Sequence, residues 1–136
     1  MIQRMQTVWW LLSMAVLIVF IFLPFRELSV NGTLTLQTPL EFPMLLGLIL
    51  TAAFATFVVV LLFKNRPLQI KIGRILLLLH SAIYSLLLYM YWHYSGEQQK
   101  LLLTIIVPAI SFFFQTLALR AVKKDEALIK SMDRLR

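Results

Sequence analysis

Four long apolar stretches, none holding an Asp, Glu, Lys or Arg, dominate this sequence. They run from about Val8 to Pro24, Pro43 to Phe63, Ile75 to Tyr94 and Leu101 to Leu119. A helix rises ~1.5 Å per residue and the hydrocarbon core of a bilayer is ~30 Å thick, so about 20 apolar residues cross it. Backbone polar groups in lipid must bond within the segment, which makes helices the expected form. The balance of residue types agrees. Hydrophobic residues make up 60% of the chain and charged residues 14%, against about 25% charged in a soluble domain.

The expected fold is therefore all-α, an integral membrane four-helix bundle over residues 1–119. A cytoplasmic amphipathic tail follows over 120–136. Arg4 ahead of an apolar run also fits a signal peptide. The run ends in Leu23-Pro24-Phe25-Arg26 without a small-x-small cleavage site, so it is read as an uncleaved span.

Orientation follows from the cations. Arg4, Lys64, Arg66, Lys71, Arg74, Arg120, Lys123, Lys124, Lys130, Arg134 and Arg136 fall on one side of the four-span arrangement. Only Arg26 and Lys100 of the 13 Lys and Arg fall on the other. The positive-inside rule then predicts both termini and the middle loop in the cytoplasm. Trp9 and Trp10, and Tyr89, Tyr91, Trp92 and Tyr94, are expected in interfacial aromatic belts. Between the first two spans, Asn31-Gly32 separates Leu28-Ser29-Val30 from Thr33-Leu34-Thr35-Leu36, the pattern of a two-residue hairpin.

Polar residues inside the spans are the candidates for function. The short connection Ser95–Lys100 makes the third and fourth spans antiparallel neighbours. Pairing positions whose numbers sum to about 195 sets His80 level with Gln115, and Tyr84 level with Ser111, as a polar ladder. A neutral His80 bonded to Gln115 would fix helix register. A proton shuttle or ligand site is the sharper alternative. No carboxylate stands nearby to complete a relay. Gly47, Thr51 and Ala55 form a small-residue stripe on the second span, expected to pack inside the bundle, with dimerisation as the alternative. Pro108 falls inside the fourth span and is expected to kink it.

The tail RAVKKDEALIKSMDRLR sets Ala121, Val122, Leu128, Ile129, Met132 and Leu135 on one stripe. Lys123, Lys124, Asp125, Glu126, Lys130, Asp133, Arg134 and Arg136 are its candidate interaction residues. Glu126 and Lys130 are spaced to pair. Asp125 lands on the apolar stripe, where it is expected to cap a break after Lys124 or to meet a basic group. The stripe suits either an anionic lipid surface or a protein partner.

Other function classes lack their residues. There is no cysteine, no H-E-x-x-H, no phosphate loop and no G-x-S-x-G. No catalytic residue, metal site or cofactor is expected. No base-stacking aromatics interleave with the cations, so nucleic acid is not an expected partner. The lipid bilayer is, with a membrane or cytoplasmic protein and homo-oligomerisation as further candidates. The leading functional expectation is a small non-enzymatic membrane scaffold or accessory subunit whose tail docks protein or lipid. The alternative is an oligomeric channel or carrier built on the His80/Gln115 ladder.

Three segments carry a resemblance. They are Met1-Ile2-Gln3-Arg4, Lys64-Asn65-Arg66 with Leu68-Gln69-Ile70, and the closing run from Lys124 to Arg136. Together they resemble a family of small four-span inner-membrane proteins of Bacteroidetes, domain of unknown function 4293. The resemblance covers the whole chain and implies a bacterial cytoplasmic membrane. It carries over no activity, cofactor or catalytic residue.

Overall fold

The computed structural model describes residues 2–30, 33–93, 98–101 and 103–133, with side chains over 5–29, 33–93 and 104–132. Four helices carry the fold: α1 Ile2–Phe22, α2 Pro43–Leu61, α3 Arg66–His93 and α4 Ile106–Asp133. All four are long and apolar enough to cross a bilayer. Three short strands, β1 Arg26–Val30, β2 Thr33–Gln37 and β3 Gln98–Leu101, close one end.

Prolines and local caps set the helix boundaries. Pro43 and Pro67 stand in the first turns of α2 and α3, where a missing N–H costs nothing. Pro108 is also a first-turn residue, because α4 starts at Ile106 after a 3₁₀ turn over Leu103–Ile105. The expected kink at Pro108 is thereby corrected: no intrahelical bond is there to lose. The loop expected over Lys64–Arg74 shrinks to a tight turn. Asn65 accepts from the N–H of Gln69 (3.0 Å) through its carbonyl and from that of Leu68 (3.4 Å) through Oδ1. Gln69 Nε2 reaches back to the Val59 carbonyl at 3.2 Å, satisfying the last turn of α2.

Each helix buries positions that alternate four and three apart. They are Gln6, Trp10, Ser13, Leu17 and Phe20 on α1, and Leu45, Ile49, Ala52, Thr56 and Val59 on α2. On α3 they are Gln69, Gly73, Leu76, His80, Ile83, Leu87 and Met90. On α4 they are Pro108, Ser111, Gln115, Ala118, Val122 and Asp125. A repeat of about 3.5 residues keeps one seam inward when antiparallel helices wrap in a left-handed bundle. α1 packs on α2 and most extensively on α4, and α3 packs on α2 and α4. Successive helices run in opposite directions, so the topology is up-down-up-down.

Two apolar clusters fill the seam. Leu17, Phe20, Phe25, Leu45, Ile49, Ile83 and Leu87 pack near the sheet. Trp10, Val59, Leu76, Ala118, Leu119 and Val122 pack toward the opposite, open end. Trp10 therefore belongs to the core, fully buried, and not to an interfacial belt. Its indole lies over Gly73, where an added Cβ would come within 3.1 Å of the ring and 2.9 Å of Leu119 Cδ1. The bundle exterior is apolar, with Val19, Phe22, Leu50, Phe54, Leu78 and Phe113 all exposed.

The hairpin appears with Val30 opposite Thr33 and Arg26 opposite Gln37. Its turn, residues 31–32, lies outside the described residues. The third strand was not expected. β3 pairs antiparallel with β1, Arg26 opposite Leu101 and Ser29 opposite Gln98, so β1 is central. The connection expected to be a plain loop is thus a sheet edge, which removes the marginality of a lone two-stranded hairpin. Arg26 is buried beneath the sheet. It donates from Nε to Gln37 Oε1 (2.9 Å) and from Nη1 to the Met90 carbonyl (3.1 Å), and its guanidinium lies over the Phe42 ring at 5.7 Å.

The two helical glycines should respond in opposite ways. Gly73→Leu is expected to lower stability by about 1–3 kcal/mol through overpacking against Trp10. Nothing lies within 4 Å of a Cβ built at Gly47, so Gly47→Ala should be neutral or gain up to about 1 kcal/mol of helix propensity. Denaturant-induced unfolding in mixed micelles, followed by far-UV circular dichroism, reads both.

Candidate functional site

A layer of polar side chains separates the two apolar clusters. Every helix contributes to it: Ser13 from α1, Thr56 from α2, His80 from α3, and Ser111 and Gln115 from α4. All five are at most 1% exposed. The Thr56 hydroxyl closes on its own helix, donating to the Ala52 carbonyl at 2.8 Å. The other four form one connected cluster.

Proton accounting fixes its sense. His80 Nδ1 lies 2.9 Å from the Leu76 carbonyl, which can only accept, so Nδ1 carries a proton. Nε2 lies 3.1 Å from Ser111 Oγ. Ser111 has one hydroxyl proton and a second acceptor in reach, the Ser13 carbonyl at 2.9 Å. Ser13 Oγ stands 2.9 Å from Ser111 Oγ, 3.0 Å from the Ser111 carbonyl and 2.9 Å from Gln115 Oε1. The cluster is rich in acceptors. Its one spare donor, Gln115 Nε2, is buried and finds no partner among the described residues.

The expected ladder is redrawn by this geometry. His80 bonds Ser111, not Gln115, because α4 presents Ser111 to α3 and turns Gln115 toward Ser13 of α1. Tyr84 does not meet Ser111. Its hydroxyl donates to the Ile105 carbonyl at 3.3 Å, just before α4 begins. Ser13 was missed from the sequence, although it lies one heptad from Gln6 and on the same seam as Trp10 and Leu17. Ser111 and His80 are spaced like a nucleophile and its base. Both are sealed from solvent, and no carboxylate of the described residues reaches the imidazole.

A second polar contact joins α1 to α4 nearer the open end. Gln6 Nε2 donates to Asp125 Oδ2, and both side chains are buried. The expected cap at Asp125 is corrected, and Asp125 meets no cation among the described residues. α4 runs unbroken from Ile106 to Asp133, and Asp125 occupies a seam position facing α1. Its Oδ1 has no partner among the described residues. The residues assigned to a tail thus divide. Val122 and Asp125 pack on the bundle, whereas Leu128, Ile129 and Met132 are 46%, 38% and 61% exposed. Lys123 and Lys124 are exposed as well, and Lys130 pairs with Glu126 at 2.8 Å. The Asp133 side chain, Arg134, Leu135 and Arg136 lie outside what is described.

The small-residue stripe is also relocated. Gly47 and Thr51 are exposed and Ala55 is only partly buried, because α2 turns Leu45, Ile49 and Ala52 inward. Thr51 Oγ1 donates to the Gly47 carbonyl at 2.7 Å. Of the stripe, only Ala55 packs against the core. Among the described residues, no group of three or more His, Asp or Glu side chains is placed to hold a metal ion.

The cluster should behave as a coupled unit. A double-mutant cycle with Ser13→Ala and Ser111→Ala is expected to show a coupling of about 0.6–1.7 kcal/mol. Additive losses would mean that the two hydroxyls do not support each other.

No curated protein and no solved structure matches the chain. The family model described as Domain of unknown function (DUF4293) matches residues 2–135, and the chain belongs to that family.

Proposed function

We propose that this chain is a small, non-enzymatic, multi-pass protein of a bacterial inner membrane, with both termini in the cytoplasm. It acts as a scaffold or accessory subunit whose open end docks a protein partner or the anionic lipid surface. One observation carries this reading. The last turns of α4 expose Leu128, Ile129 and Met132 among lysines, on a helix held to the bundle as far as Asp125. An apolar strip beside cations is the composition of a docking or interfacial helix. The gathering of cations at the open end supports the cytoplasmic assignment.

Two measurements test it. Reporter tags at both termini and between β1 and β2 should place the termini in the cytoplasm and the sheet outside. Affinity capture from mild detergent should compare the full chain with a Leu128→Ser/Met132→Ser variant. Equal recovery of the same partners and the same lipids by both would defeat docking through α4.

A carrier reading draws on one specific observation, the Gln115 Nε2 group of the mid-bundle cluster, which has no partner among the described residues. Buried polar groups inside membrane helices often mark a pathway. Ion or solute flux in liposomes that disappears with His80→Ala, while the fold persists, would favour it over docking.

A further inference from the structure

We infer that the groove between the N-terminal turns of α3 and the C-terminal turns of α4 is a binding site for the phosphate headgroup of an anionic phospholipid. The groove encloses about 700 Å³. Lys71 and Arg74 line one wall, and Lys123 and Lys130 line the other. Among the described residues its one carboxylate, Glu126, pairs with Lys130 at 2.8 Å. Lys71, Arg74 and Lys123 meet no carboxylate among the described residues.

A second cavity of about 490 Å³ shares Pro67, Glu126 and Lys130 with the first and adds Lys64 and Arg66. Arg66 lines this cavity, and its Nη1 is buried without a hydrogen-bond partner among the described residues. A guanidinium N–H left unbonded favours an acceptor oxygen, and phosphate oxygens match the guanidinium. Four cations of α3 and α4 thus line the groove, and Lys64 of the α2–α3 turn and Arg66 of α3 line the cavity beside it.

The position favours a lipid over a free ion. Ile70 and Ala127 line the groove, and Ile129 lines the adjoining cavity. The exposed apolar band of the bundle, including Ile75 and Leu78 of α3, begins one turn away. A phosphodiester with two acyl chains would set its charge among the cations and its chains along that band. Basic pockets between membrane helices on the cytoplasmic side suit such headgroups. The positive-inside rule alone asks only for cations on one side. It does not ask that they line both walls of one groove.

The inference rests on the membrane reading above, and the two fail differently. A chain that partitions into the aqueous fraction without detergent sinks the membrane reading. A membrane-bound chain without headgroup preference sinks only the groove. The test uses the full chain in mild detergent, titrated with phosphatidylglycerol or phosphatidylcholine, with retained lipid read by native mass spectrometry. Phosphatidylglycerol should be retained in preference. Lys71→Gln/Arg74→Gln should weaken its retention by roughly thirtyfold. Arg120→Gln removes an exposed cation that lines neither cavity and should leave retention nearly unchanged. Circular dichroism confirms that the variants fold.

Equal retention of the two lipids would overturn the site, as would equal losses in the Arg120 and groove variants. Displacement of phosphatidylglycerol by excess inorganic phosphate would assign the groove to the free ion instead.

Discussion

The bundle is held in register by its middle. Ser13, His80, Ser111 and Gln115 can satisfy one another only when α1, α3 and α4 stand at one relative height. Displacing any of these helices by a turn would strand several buried polar groups, each costing about 1–3 kcal/mol. The apolar clusters above and below impose no such demand, since aliphatic side chains exchange neighbours at little cost. Where helices are surrounded by apolar solvent, hydrophobic burial gives little drive to associate. The polar layer then supplies what packing alone cannot, a reason to prefer one arrangement.

The same logic orders the whole cross-section. Gln6, Thr56, Gln69 and Asp125 also fall on the inward seams, while large apolar side chains cover the outside. The interior stays mostly apolar, as in a water-soluble bundle, but the exterior is apolar where a soluble bundle's would be polar. The wide spread of hydrophobicity on both faces leaves no conventional amphipathic signal in α1 or α2.

Much of the architecture was readable in the sequence because it follows from length and composition. Four uncharged runs mean four helices, and the Asn-Gly turn flanked by alternating residues means a hairpin. The misses have a common cause. Mirror pairing about the α3–α4 connection gives relative depth but not which face of each helix points where. His80 was therefore matched to Gln115, and the Gly47 stripe was turned inward. The seams could have been traced from the polar residues themselves. Gln6 and Ser13 are one heptad apart, and Ser111 and Asp125 two. β3 left no such trace, because Gln98-Gln99-Lys100 has no apolar alternation, and its strand form comes from the β1 edge waiting beside it. Arg26 reads as a topology signal in sequence, yet it is a buried clamp between the sheet, Phe42 and the end of α3.

The closure of α1 against α4 has a consequence for biogenesis. The first helix emerges from the ribosome long before its principal partner exists. Ser13 and Gln6 must wait for Ser111, Gln115 and Asp125, which are translated about a hundred residues later. β1 likewise waits for β3 to complete its second ladder. The nascent chain therefore passes through a stage in which early helices have formed but their polar seam is open. Contacts so distant in sequence form late, so that seam stays open until the last helix arrives.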